Sequence, residues 1–215
     1  MSEIESPSDG TLISAVLAGE REQFAVLVRR YQRALVRAAC SRLGRDDWAD
    51  DVVQETFLCA LKWLHTYDSK YSFRTWLWTI LLNQCHRCWK KHSRDLLIGS
   101  WNDVESRQDI SAEIARQMQS EKNPSDQLLA RERVQLLDAI LLRLPEAQAD
   151  ALRLRFYGEL KFPEIAVAMS CSLSTAKNRV KWGLLKMAEL LGPAGEFAGY
   201  GFAEVETNDE GRDYL

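Results

Sequence analysis

Apolar residues in this 215-residue chain recur at three- and four-residue intervals rather than alternating, which predicts an all-α fold. Proline stands only at positions 7, 124, 145, 163 and 193, so long helical stretches run unbroken between them. From Thr11 to Leu43, helical faces carry Leu12, Val16, Phe24, Leu27, Val28, Tyr31, Leu35 and Ala38. The pattern is interrupted near Gly19 and ended by Leu43-Gly44, which gives either an antiparallel helix pair or one kinked helix. A third helix, from about Asp46 to Leu64, has Val53, Phe57, Ala60, Leu61 and Leu64 as its buried stripe and Asp47, Asp51 and Glu55 four apart on another face. After the polar stretch Thr66 to Ser72, a fourth helix from about Phe73 to His92 buries Phe73, Trp76, Leu77, Ile80 and Leu81. Its other side carries Asn83, Arg87, Lys90, Lys91 and Arg94.

The pattern weakens from Asp95 to Gln127, where acidic residues dominate. This reads as an acidic linker with a helix around Ser111 to Ser120. Periodicity returns from Leu128 to Leu144, and Pro145 opens a helix, Glu146 to Tyr157, that Gly158 can end. Pro163 starts a short helix to about Met169, a turn follows at Ser170-Cys171-Ser172, and a last helix runs to Leu191. The stretch from Gly192 to Leu215 has five glycines and a net acidic charge and is expected to be disordered. The expected organisation is therefore two small helical domains, 10–94 and 128–191, joined by the acidic linker 95–127 and followed by the tail 192–215.

A composition of 46% hydrophobic and 27% charged residues is that of a globular protein, and no apolar run approaches the ~20 residues of a membrane-spanning helix. Met1 to Gly10 carries Glu3, Glu5 and Asp9 and no apolar core, unlike a secretory signal, so a cytoplasmic protein without membrane insertion is expected. Five cysteines, at 40, 59, 85, 88 and 171, mostly lie among apolar helical residues and are expected as reduced thiols. The formal charge of −3 argues against DNA binding by bulk attraction and shifts the weight to where the cations lie.

Two groupings carry chemistry. Between Pro163 and Lys186, a short helix with Ile165, Ala166 and Met169, a tight turn and a second helix form a helix-turn-helix pattern. Ser172 can cap the second helix by accepting from the Thr175 amide. That helix buries Ala176, Val180, Leu184 and Leu185 and leaves Thr175, Lys177, Asn178, Arg179 and Lys181 outward, where Arg and Asn can read base edges while Lys and Thr anchor phosphates. A solvated basic face on an ordinary hairpin is the plain alternative. The second grouping sets Trp63, Tyr67, Tyr71, Phe73, Trp76, Trp78 and Trp89 among Lys70, Arg74, Arg87, Lys90, Lys91 and Arg94, which suits unstacked bases along a charged strand path. Phe73 and Trp76 fall on the buried stripe, which leaves Tyr67, Tyr71 and Trp78 as the base platforms.

The order Asp51-Val52-Val53-Gln54-Glu55-Thr56-Phe57, then Phe73-Arg74-Thr75-Trp76-Leu77 with Ile80 and Asn83, then Leu144-Pro145, Glu164-Ile165-Ala166 and Thr175-Ala176-Lys177-Asn178-Arg179, resembles the extracytoplasmic-function (ECF) group of sigma-70 family bacterial sigma factors. The resemblance spans about residues 10 to 190. It implies a first domain, region 2, that docks through Asp51, Gln54, Glu55 and Phe57 on the clamp helices of the largest subunit of core RNA polymerase. The resemblance further implies that Tyr67, Asp68, Ser69, Lys70, Tyr71 and Ser72 form the loop that captures a flipped base of the promoter −10 element, with Arg74, Asn83, Arg87, Lys90 and Lys91 tracking the same strand. For the second domain, region 4, it implies −35 recognition by Ser174, Thr175, Lys177, Asn178, Arg179 and Lys181 and contact with the polymerase flap, and it brings an anti-sigma factor as an expected partner. The linker's acidity suits passage through polymerase channels meant for nucleic acid. The chain departs from the family pattern at Lys161-Phe162-Pro163, where a Ser or Thr cap is usual, at Ser170, where the turn often has Gly, and at Trp182, where an Arg is common.

Three other readings have specific consequences. A metal-dependent enzyme on Asp46, Asp47, Asp50, Asp51 and Glu55 would need a second facing acidic helix, and the chain offers no second cluster. A metal or redox sensor on Cys85, His86, Cys88 and His92 would need four ligands, and the remaining cysteines lack paired spacing. A stand-alone helix-turn-helix regulator keeps the DNA site but leaves Asp51 to Phe57 and the aromatic cluster unused. The expectation is a non-enzymatic protein with no cofactor and no metal.

Overall fold

The structure, a computed structural model, describes residues 7–96 and 134–191, and every regular element in these stretches is helical. Helix α1 (Asp9–Leu17) begins where the Ser8 hydroxyl oxygen accepts from the Thr11 amide at 3.2 Å. A single 3-10 turn (Arg21–Gln23) leads into α2 (Phe24–Leu43). The two are separate helices rather than one kinked helix, because Gly19 turns the chain at a φ of 112°. Gly44 ends α2 in the left-handed conformation (φ 66°), which glycine adopts without a side-chain clash. Helix α3 (Asp46–Trp63) carries Asp46 and Asp47 in its first turn, where carboxylates favour the exposed amides. A 3-10 turn (Leu64–Thr66) and a loop connect it to α4 (Phe73–Leu96). Residues 134–141 form α5, followed by α6 (Glu146–Phe156), α7 (Phe162–Ala168) and α8 (Leu173–Leu191).

Helices α1 to α4 pack around Leu27, Leu35, Leu64, Phe73, Leu77 and Leu81, and α5 to α8 around Leu141, Leu152, Leu154, Ile165, Ala176 and Val180. Each fully buried side chain of this size contributes about 1.5–3 kcal/mol, so the apolar stripes hold each domain together. The stripes are rotated in places from those the sequence predicts. Leu61 is exposed on α3, and on α4 Trp76 and Ile80 are only partly covered while Trp78, Thr75 and Cys85 are buried. The reason is that α4 has neighbours on two sides, α3 and the C-terminal helix α7, so its buried arc is wider than one stripe. On α8, Leu185 is half exposed and Gly183 and Met187 are buried instead. The expected linker helix at Ser111 to Ser120, most of the linker, the side chain of Arg94 and the tail lie outside the described residues.

The two domains meet through buried polar groups. Arg153 of α6, 3% exposed, donates from Nε to the Ser41 hydroxyl oxygen (3.1 Å) and from Nη2 to the Ser41 carbonyl (2.7 Å) on α2. Its Nη1 donates to Asp150 at 3.0 Å, and Arg42 of α2 grips the same carboxylate with Nε and Nη2, both at 3.1 Å. Arg42 also pairs with Glu146. Burial pushes the Asp150 carboxyl above its ordinary value despite both guanidiniums, and burial likewise lowers Arg153. Desolvation therefore exceeds the Coulomb gain, which makes the cluster a determinant of geometry more than of stability. Beside it, Arg37 lies 4.8 Å from the centre of the Tyr157 ring, and the Tyr157 hydroxyl donates to Asp138 at 3.0 Å. Gly158 sits against Trp78, where an added Cβ would come within 3.0 Å of the indole and 2.7 Å of the Leu154 carbonyl.

Asp150→Ala is expected to cost about 3–5 kcal/mol in urea unfolding, because it strands Arg42 and Arg153 in the interface. The apolar triple Arg42→Met/Asp150→Leu/Arg153→Met is expected to lose much less, and equal losses would mean that the charges stabilise outright.

Candidate nucleic-acid interface

The helix-turn-helix is built from α7 and α8. Glu164, near the start of α7, accepts the Lys161 amide at 2.8 Å, so the carboxylate three residues on supplies the cap that Lys161 itself cannot provide. Helix α7 closes with the Cys171 amide donating to the Ala166 carbonyl at 2.9 Å and the Ser170 amide to Val167 at 3.1 Å. That closure holds Ser170 at a φ of 49°, a left-handed conformation disfavoured for a residue with a Cβ. The Ser172 hydroxyl oxygen accepts the Thr175 amide at 3.0 Å and starts α8, as the sequence predicts.

Ala176 and Val180 anchor α8, while Ser174, Asn178 and Lys181 are exposed. Lys177 and Arg179 are half-buried against α7: the Lys177 ammonium lies 6.0 Å from the centre of the Phe162 ring, and Arg179 Nη1 lies 3.9 Å from the Met169 sulfur. Their stems are braced by α7, which reduces the rotamer freedom lost on meeting a ligand. The Thr175 hydroxyl is hydrogen-bonded to Ser172 at 2.8 Å and so belongs to the cap.

In the first domain, the loop Tyr67 to Ser72 is closed by its own bonds. The Tyr67 hydroxyl donates to the Tyr71 carbonyl at 2.7 Å, and the Lys70 amide donates to the Asp68 carboxylate at 2.9 Å. The Tyr67 ring rests on Phe73 and Trp76, with centroids 5.9 and 5.6 Å away, so aromatic packing sets the loop's base and leaves Asp68, Ser69, Lys70, Tyr71 and Ser72 exposed. Trp78, read from the sequence as a base platform, is 1% exposed and belongs to the core. Along α4, Asn83, Arg87, Lys90 and Lys91 are all exposed, and the rise of a helix spreads them over about 12 Å. Arg74, the second residue of α4, forms an ion pair with Glu159 at 3.4 Å. Burial alone would raise the Glu164 carboxyl, but the Lys161 amide, the Ser72 and Thr75 hydroxyls and Arg74 hold it below its ordinary value.

On α3, Asp51, Gln54 and Glu55 are exposed and Phe57 is nearly covered; Gln54 and Phe57, with Val28, Val36, Asp50 and Leu61, line a shallow groove that Asp51 and Glu55 do not join. The sequence reading missed Leu58 and Leu61 as surface groups. Both stand exposed, and Leu58, which lies off the heptad-like stripe, was the available signal. The cysteines carry no disulfide. Burial pushes the Cys85 thiol up to about 12, and Cys59 Sγ accepts from Gln84 at 3.0 Å. Among the described residues no three His, Cys, Asp or Glu side chains converge on a common metal position, and no helix is long and apolar enough to cross a membrane.

Two helical domains, the second presenting a capped helix-turn-helix with cations on its second helix, define a DNA-binding transcription protein. Residues 27–95 match the Sigma-70 region 2 model and residues 134–187 the Sigma-70 region 4 model. The chain is 29% identical over 176 residues to the ECF RNA polymerase sigma-E factor of Escherichia coli K12, covering 82% of this chain and 90% of that one. Its identity to the namesake of Haemophilus influenzae is 25%, with 82% and 91% covered. Among solved structures, CnrH in complex with the cytosolic domain of CnrY aligns with a TM-score of 0.62 at 24% identity, covering 85% of this chain and 96% of that one. The sigma factor RpoE from Bartonella quintana, crystallised with the anti-sigma factor NepR, aligns at 0.59 and 20% identity, covering 80% and 99%. The chain belongs to the sigma-70 family. It is a sigma factor, which binds core RNA polymerase and directs promoter-specific transcription initiation.

Ser170→Gly is expected to raise stability by about 0.5–1 kcal/mol, read as a higher melting temperature, because it removes a Cβ from a left-handed position. No gain would show that the turn's backbone is not strained.

Proposed function

We propose that the two domains divide promoter recognition as follows. Residues 10–94 bind polymerase through Asp51, Gln54, Glu55 and the groove above Phe57, and capture the −10 strand with the loop Tyr67 to Ser72. Arg74, Asn83, Arg87, Lys90 and Lys91 track the same strand. Residues 128–191 read the −35 element with Ser174, Thr175, Lys177, Asn178, Arg179 and Lys181 and meet the polymerase flap. The acidic segment 95–127 joins them, and 192–215 is a tail without an assigned role. The observation that carries this reading is the outer face of α8, where exposed Asn178 and Lys181 flank an Arg179 braced by Met169. That is the chemistry of base-edge reading beside phosphate anchoring.

Thr175 enters with a reduced role, since one hydrogen-bonding position of its hydroxyl is taken by Ser172 in the cap. Phe57 acts by shaping the groove rather than by projecting from it. The protein works in the cytoplasm without a cofactor and without catalysing a reaction itself, because bond formation belongs to polymerase. An anti-sigma factor is an expected partner, in keeping with the anti-sigma factor NepR bound to one of the structural neighbours. Holding both readers on polymerase lets two modest sites act together through effective concentration.

Run-off transcription with core polymerase on a pool of genomic promoter fragments tests the reading, and discrete transcripts that depend on this chain are expected. On the promoter so found, Arg179→Ala is expected to weaken −35 recognition by about 1–3 kcal/mol and to relax it at one base pair. An equal loss on all sequences would make Arg179 a phosphate contact. Alanine throughout 67–72 is expected to spare polymerase binding and abolish permanganate reactivity at the −10 element, and unchanged reactivity would remove the loop from the mechanism.

A further inference from the structure

Two large apolar side chains stand uncovered on α8. Trp182 is 57% exposed and Leu185 is 50% exposed. With exposed Asn178 and Glu189 they occupy positions i, i+4, i+7 and i+11, which form one line along the outer side of the helix. Exposed Lys181 flanks that line, and Arg179 and Lys177 lie further toward the start of the helix. The line runs from the −35-reading residues to Leu191, where α8 ends. A contiguous apolar patch rimmed by charge marks an interaction site.

The segment that follows α8 has the complementary chemistry in the complementary order. Gly192 and Pro193, the two residue types least suited to prolonging a helix, come first. Phe197, Tyr200 and Phe202 come next, then Glu204, Glu206, Asp209, Glu210 and Asp213, with Arg212 the one cation of residues 192–215. Followed backwards from Leu191, α8 offers Leu185 and Trp182 first and Lys181, Arg179 and Lys177 after them. A segment that reverses at Gly192-Pro193 therefore meets apolar groups with aromatics, and then cations with carboxylates. The reach is sufficient. Trp182 lies about 14 Å and Lys177 about 21 Å along the helix axis from Leu191, while an extended chain from Leu191 to Phe202 spans up to about 36 Å. A duplex phosphate would satisfy the cations and leave Trp182 and Leu185 without a partner, whereas this segment satisfies both.

We propose that residues 196–213 dock antiparallel along α8, with the aromatic stretch on Trp182 and Leu185 and the acidic stretch over Lys181, Arg179 and Lys177. The consequence for DNA rests on the −35 assignment made above. On that assignment the acidic stretch covers the residues that meet the duplex, so the segment and DNA compete for one face. Docking lowers the affinity of α8 for any duplex in proportion to the time the face is covered.

The indole N–H signals of the full-length, isotope-labelled chain test the contact, with that of Trp182 identified by Trp182→Phe. Phe197→Ser/Tyr200→Ser/Phe202→Ser is expected to move the Trp182 signal and to leave those of Trp63 and Trp89, comparably exposed on the first domain, in place. A Trp182 signal that stays put overturns the proposal. So does a wild-type Trp182 signal that depends on protein concentration, which would give the patch to a second copy of the chain. Fluorescence anisotropy with a labelled duplex of random sequence at low salt, without polymerase, reads the consequence. The aromatic variant keeps the net charge and is expected to bind about fivefold tighter or more, the lower end of ordinary coupling between sites. Glu204→Gln/Glu206→Gln/Asp209→Asn/Glu210→Gln is expected to gain at least as much. A gain confined to the charge variant reflects bulk charge and overturns the joint docking of the two stretches. A Trp182 signal that moves while duplex affinity is unchanged in both variants keeps the segment on α8 and removes the −35 reading from that face.

Discussion

Arg153 carries a charge into a surface where almost no water reaches it, and its N–H donors have to be met by protein. Ser41 and Asp150 meet them, and Arg42 completes the charge balance on Asp150. Only one placement of α6 against α2 satisfies these bonds together, so the cluster fixes how the second domain lies on the first. The rest of the contact surface follows from that placement: Gly158 on Trp78, Tyr157 under Arg37, and Glu164 at the head of α4.

The energetics divide accordingly. Within each domain, buried leucines, isoleucines and aromatics supply the stabilisation, each contributing about 1.5–3 kcal/mol. Between the domains, burial raises Asp150 and lowers Arg153, which means that ionisation there works against solvation. An interface of this kind is specific without being strongly favourable. Apolar residues of the same volume would hold the domains together at least as strongly.

The two candidate surfaces share one construction principle, a packed aromatic or thioether base under polar groups. Phe73 and Trp76 underlie Tyr67 and so set the loop above it, and Phe162 and Met169 brace Lys177 and Arg179. Of the bases, Phe73 is buried and Trp76, Phe162 and Met169 are partly buried, while Asp68, Ser69 and Lys70 above the first base are exposed. Recognition by such a site loses little conformational freedom on binding, which suits modest sites read together.

The helices and their ends were legible in the sequence because their signals are local. Gly44 after Leu43, Pro145 before Glu146 and Ser172 before Thr175 act within one turn of the chain, and each appears where the pattern places it. The outward position of Asn178 and Lys181 on α8 was legible for the same reason, since Ala176 and Val180 fix which side faces in, whereas Lys177 and Arg179, expected outward, are half-buried against α7. The burial of Trp78 and Cys85 was not legible, nor was the exposure of Leu61 and Leu185, because a helix with two neighbours buries an arc that periodicity along one chain segment does not define. The engagement of Ser72, Arg74 and Thr75 by Glu159 and Glu164 was equally hidden. Those residues lie more than eighty positions apart, and nothing along the chain says which distant carboxylate will reach a helix start. Sequence alone therefore determined the helices, the family and the capped helix-turn-helix. Tertiary structure decided that Ser72, Arg74 and Thr75 pair with distant acids, because long-range polar pairing depends on how whole domains pack and not on local periodicity.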